Sequence, residues 1–144
     1  ANARLQYFTL EGAPVSCLQG FLCTEQQFQP TAADLAPRMQ RYGTFPAEMQ
    51  LALSFPAAAD TQGEFLLVPD LHARVLIFDG QNRLAANLGY DAAWTGEVVK
   101  IRLDPAQWVA GRFVHPHDAC FDHAGNIFVV EWVEAGRVTF LKRV

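Results

Sequence analysis

His115, His117 and Asp118, in the run His-Pro-His-Asp, form the densest set of metal-capable side chains in the sequence. On an extended strand residues two apart project to the same side, so the two imidazoles and a nearby carboxylate could meet one zinc or calcium ion. Pro116 between the histidines, and the turn just ahead of them, work against a shared direction. The plainer reading makes this segment the structural entry to a strand, with His117 hydrogen-bonded to backbone. A second candidate set follows two apolar runs. Asp70 comes after the run from Phe65, and Glu131 and Trp132 come after the run from Ile127. Loops at one end of stacked sheets share a surface, so with His117 and Asp118 these residues make a candidate binding face for a protein, a peptide or a small ligand. The alternative is a packed Trp132 beside solvated acids. His72 and His123 read as exposed turn residues.

Other chemistries find little footing. The serines are Ser16 and Ser54, neither in a nucleophile elbow, and no glycine-rich phosphate loop is present. Cys120 falls within an expected strand that should bury it, away from any activating charge. Cys17 and Cys23 lie near enough in sequence to be bridged, but three cysteines without a paired spacing read as small buried hydrophobes.

The elements that must position these residues repeat along the chain. Asp60, Gly63, the run FLLV and Arg74 recur as Asp122, Gly125, the run IFVV and Arg137, offset by 62 residues and then 63. A partial third copy opens the chain, where Ala3 to Gly12 overlays Ala73 to Asn82. Short apolar runs bounded by turn residues describe strands buried on both faces. The expected strands are a hairpin within residues 1–20 and a four-stranded antiparallel unit over 56–89. Three further strands follow over 114–144. In the four-stranded unit Pro56 to Asp60 is the expected first strand, and Asp79 to Asn82 the hairpin turn before its last. Each repeated arginine opens a third strand, where its guanidinium can bind nearby carbonyls or carboxylates.

Two connectors separate these units. Residues 21–55 show no alternation and read as a helical insertion, with Thr31 as a cap and Gly43 as a stop. Residues 90–113 carry Trp94 and Trp108, which implies packing on the sheets, and a helical turn over Glu97 to Leu103 ended by Asp104 and Pro105. The fold class is therefore mostly β: four-stranded antiparallel blades with short helical connectors.

Composition narrows the partners. With 51% hydrophobic and 18% charged residues, the 144-residue chain is expected to be packed almost throughout, as one unit. A net charge of −4 without a basic cluster gives no footprint for nucleic acid. The longest apolar runs are four residues, far short of a membrane span, so a soluble chain is expected.

The units resemble NHL repeats, as found in six-bladed β-propellers. The likeness rests on HPHDACFDHAGNIFVVEWVEAGRVTFL, on DTQGEFLLVPDLHARVLIFDGQNRL and on ARLQYFTLEG, a little over half of the chain. It implies stacked four-stranded blades whose first strands line a channel, with His117 and Asp118 near its mouth. Nine strands are too few for a closed ring of six blades. The chain is thus expected to be a fragment of a longer propeller, or to associate with itself through open blade edges. The resemblance extends to the peptidyl-hydroxyglycine amidating lyases, which hold zinc through histidines from several blades. Only His117 stands at a matching place; the corresponding stretch of the preceding unit, Ala57 to Ala59, offers no ligand. An interaction module is therefore the leading expectation. A metal-dependent lyase or hydrolase, with His117 as ligand and His115 or Asp118 beside it, is the alternative. Bacterial proteins with similar blades are often exported, which makes an extracytoplasmic location the expectation from resemblance.

Overall fold

The computed structural model describes residues 5–18, 53 and 55–144. Apart from Leu53 and Phe55, the expected insertion over 21–55 lies outside the described residues, as does Cys23. The strands are β1 (Leu5–Phe8), β2 (Pro14–Leu18), β3 (Asp60–Gln62), β4 (Phe65–Asp70), β5 (Arg74–Phe78), β6 (Leu84–Leu88), β7 (Pro116–Phe121), β8 (Ile127–Glu131) and β9 (Arg137–Leu141). Helix α1 (Ala92–Ile101) and a 3-10 turn (Pro105–Gln107) lie between β6 and β7. Every pairing among these strands is antiparallel, in a two-stranded sheet β1-β2, a four-stranded sheet β3-β4-β5-β6 and a three-stranded sheet β7-β8-β9.

The four-stranded sheet is covered on both faces, as its unbroken apolar runs require. Register pairs Leu67 with Ile77 and Pro69 with Val75 on one face, and Leu66 with Phe78, Val68 with Leu76 and Asp70 with Arg74 on the other. The first face meets the three-stranded sheet through a core of Leu67, Val75, Phe113, Ala119, Ile127 and Val129. The second gathers Val68, Leu76 and Phe78 with Leu53, and Leu5 of the N-terminal hairpin packs against them. The hairpin and the three-stranded sheet thus lie on opposite sides of the central sheet. Asp60 and Gln62 of β3 reach across to the third sheet, where Asp60 Oδ2 accepts from Phe121 N at 2.8 Å and Gln62 Nε2 donates to Asp122 O at 2.6 Å.

Three local expectations are corrected. The stretch from Pro56 is not one strand: Pro56 makes a single bridge to Asp70, Ala57 N donates to Pro69 O, and the ladder proper begins only at Asp60. Pro56 has no N–H to give a continuous ladder. The connector helix starts earlier than Glu97, at Ala92, because the Asp91 carboxylate caps it by accepting from Trp94 N at 2.9 Å. Cys120 is exposed rather than buried, being on the outward side of its strand.

Helix α1 closes the end of the stack nearest the β4-β5 and β8-β9 turns. Val98 and Ile101 join Ala73, Val114 and Val133, with Trp94 and Trp108 packed against them. Trp94 Nε1 donates to Phe113 O, and Trp108 Nε1 to Ile101 O at 3.0 Å, so each half-buried indole keeps its polar atom satisfied.

Candidate interaction surface

The acidic candidates serve the fold rather than a surface. Asp70 and Arg74 face each other across β4 and β5 with both side chains fully buried, Arg74 Nη2 lying 3.0 Å from Asp70 Oδ2. The other Asp70 oxygen accepts from Phe55 N at 2.9 Å and from His72 N at 3.1 Å. Glu131 repeats the arrangement one sheet on. It is buried, pairs with Arg137 across β8 and β9, and accepts from Val114 N at 2.5 Å, while Arg137 Nη2 also donates to Arg112 O at 2.7 Å. Neither carboxylate is in a loop open to a ligand. The expectation that a repeated arginine binds neighbouring carboxylates and carbonyls is met at Arg74 and Arg137.

The histidine cluster is divided. His115 is buried, with Nδ1 2.8 Å from Leu71 O. Burial pushes its imidazole below the ordinary histidine value, against the opposing pull of the Leu71 carbonyl. His117 is exposed one bulge further on, where the β7-β8 register shifts between Pro116 and Asp118. The bulge and the buried ring of His115 remove the shared direction that two metal ligands need. Among the described residues no three His, Cys, Asp or Glu side chains lie together so as to hold an ion. These residues do not fit a zinc site. His72 is buried and not an exposed turn residue, its ring edge-on to Phe55 at 6.0 Å, whereas His123 is exposed as expected.

His117 instead meets Trp132. Their rings lie edge to face at 6.2 Å, and the Arg102 guanidinium sits 4.6 Å from the indole centre. Trp132 nonetheless stays 56% exposed. It stands at the end of the outward face of the three-stranded sheet, the side turned away from the central sheet. Register puts Asp118 beside Val130 and Val138 on this face, and Cys120 beside Phe128 and Phe140. Phe128 and Phe140 stack at 5.0 Å, yet Phe128, Val130, Val138 and Phe140 are 40%, 41%, 65% and 52% exposed. Of the sequence candidates, the structure brings together His117, Asp118 and Trp132 here. The sequence reading missed the apolar strip joining them: Ile127 to Val130 is apolar at every position and does not tell an open face from a covered one, and only Arg137 and Thr139 alternating with Val138 and Phe140 carry part of the signal.

Comparison of the chain with protein-family models, with curated proteins and with solved structures finds no match. What the coordinates define is a class: a mostly β chain of small antiparallel sheets stacked face to face, with one helix between the second and third among the described residues. No helix among the described residues is long and apolar enough to cross a membrane.

Proposed function

We propose that this chain is a propeller-like interaction module of NHL type, and that it receives a β-sheet of a protein partner on the outward face of β7, β8 and β9. One observation carries the reading. The same side of the central sheet, the side bearing Leu67, Val75 and Ile77, is covered by the next sheet, while its counterpart bearing Phe128, Val130, Val138 and Phe140 lies open. A contiguous exposed apolar strip with a polar rim is what protein-binding surfaces present. Trp132, flanked by Arg102 and His117, supplies the aromatic anchor that such interfaces concentrate their energy on.

The test is affinity capture on immobilised chain, identification of the partner by mass spectrometry, and titration of the purified partner against variants. Val138→Lys and Trp132→Ala should each weaken binding by about tenfold or more while the thermal transition is retained. His117→Ala should leave folding and binding mostly intact. Unaltered affinity in both Val138→Lys and Trp132→Ala would overturn the reading. Solution mass over a range of concentrations identifies the case in which the partner is a second copy of the chain.

A further inference from the structure

The two larger sheets differ by one strand, and the difference leaves a cleft. Arg74 and Arg137 each open the third strand of their sheet and each pair with a buried carboxylate on the second, so β9 is the counterpart of β5. Strand β6 lies along the far edge of β5, whereas among the described residues nothing lies along the far edge of β9. Between β6 and that bare edge is a cleft of about 690 Å³, lined by Ile77, Ala86, Leu88, Phe113, Ile127 and Leu141. It is the size and the apolar character of a ligand site. Lys142 and Arg143, just past the end of β9, border it, and neither forms an ion pair among the described residues.

We infer that the edge of β9 left open among the described residues, together with this cleft, binds an extended peptide, which adds as a fourth antiparallel strand with apolar residues at alternate positions and acidic residues at its N-terminal end. The backbone of an edge strand provides main-chain hydrogen bonds to any extended partner, and side-chain pockets beside it set which partner is accepted. Here Thr139 and Leu141 point to the same side as Val129 and Ile127, toward the central sheet, so peptide residues opposite them enter the cleft against Ala86, Leu88 and Phe113. The antiparallel order of β5 and β6 gives the direction. A strand added in that sense begins beside Leu141, which sets its N-terminal residues next to Lys142 and Arg143. Acidic side chains there meet two cations that form no ion pair among the described residues. Apart from Phe140, which borders both, the cleft shares no side chain with the outward face bearing Phe128 and Val138, and the inference does not depend on that face.

A fluorescein-labelled peptide of sequence Glu-Asp-Leu-Thr-Val-Thr-Leu is the probe, with anisotropy as the readout at low and high salt. Saturable binding is expected, together with slowed amide exchange at residues 138–141. Charge reversal by Lys142→Glu with Arg143→Glu should weaken binding about tenfold at low salt and less at high salt. Ala86→Phe, which fills the cleft from β6, should abolish it. A probe whose central threonine is replaced by proline should not bind: the threonines lie opposite Phe140 and Val138, whose backbone groups face the open edge, and proline has no N–H for that ladder. Phe128→Glu should bind as the parent chain does, so failure here and failure of the outward-face reading are distinguishable. The inference is overturned by absence of saturable binding, by binding indifferent to both Ala86→Phe and the charge reversal, or by unchanged exchange along β9.

Discussion

Asp60 holds Phe121 across the seam between two sheets: its Oδ2 accepts the Phe121 amide hydrogen at 2.8 Å, joining the first strand of one sheet to the last residue of the first strand of the next. Sheets that touch only through apolar side chains can slide. A directional bond between β3 and β7 fixes how the two are set, and with it the width of the cleft beyond.

Removing that acceptor should therefore cost more than its exposure implies. Asp60→Ala leaves the part-buried Phe121 N–H without its partner and should destabilise the chain by about 1–3 kcal/mol. Asp60→Asn, which can still accept, should lose less. Urea denaturation with unchanged slope reads both, and equal midpoints for parent and Asp60→Ala would refute the tie.

Asp70 should be the most sensitive carboxylate among the described residues. Its partner Arg74 is fully buried, so Asp70→Ala removes the carboxylate that faces a guanidinium inside the core, at a cost of about 3–5 kcal/mol. The matching change Glu131→Ala should cost less, because the Arg137 side chain keeps 18% exposure and can turn to water. Chemical denaturation of the two variants gives the order, and the reverse order would show that burial of the arginine does not set the cost.

Gly89 and Gly136 separate steric strain from backbone strain. Both have positive φ, +74° and +64°, but a Cβ at Gly89 would fall into the Phe113 ring while one at Gly136 meets open space. Gly136→Ala should carry only the left-handed backbone penalty, about 1–2 kcal/mol. Gly89→Ala adds a clash with a ring held at 1% exposure, for a total of about 2–5 kcal/mol. Similar melting temperatures for the two variants would mean that Phe113 moves aside freely.

How far the sequence could be read follows from which signals are local. Strand number, sheet grouping and the two turn aspartates, Asp79 and Asp122, are local: each carboxylate accepts amides from residues two and four further on, a pattern written in adjacent residues. The register of the repeat is not. Overlaying FLLV on IFVV aligns Val68 with Val130, yet the ladders match Asp70 with Glu131 and hence Val68 with Val129. The reason is the preceding turn, which is tight between Gln62 and Phe65 but longer between Phe121 and Ile127. A slip of one residue exchanges the faces of a strand, so the overlay hid that Phe128 and Val130 point outward. Asp70 and Glu131 were misplaced for a related reason. Following an apolar run looks like leaving the sheet, and only the cross-strand arginine shows that each acid is still inside it. His72 gave no sign of burial, because its surroundings come from Phe55 and from the His115 segment, both distant in sequence.

His115 gives the chain a stability dependence between mildly acidic and neutral pH. Burial lowers its pKa, with Arg102 and His72 acting in the same sense and with the Leu71 carbonyl and Glu131 opposing. A histidine whose folded value lies below its unfolded value, about 6.5, binds its proton more readily once the chain opens. Stability is thus fully present above that unfolded value and is lost as pH falls below it toward the folded value. The carboxyls of Asp79, Asp91 and Asp122 are also held below their ordinary range, chiefly by hydrogen bonds from Arg83 N, Trp94 N and the Asn126 side chain respectively. Their contributions fade only below about pH 4, the ordinary aspartate range, so they do not overlap the histidine window. Urea midpoints should therefore fall from pH 7 to pH 5. His115→Asn places an amide N–H near the Leu71 carbonyl and does not titrate; it should be less stable at pH 7 yet nearly flat across the same interval. A His115→Asn slope as steep as that of the parent chain would assign the dependence to another group.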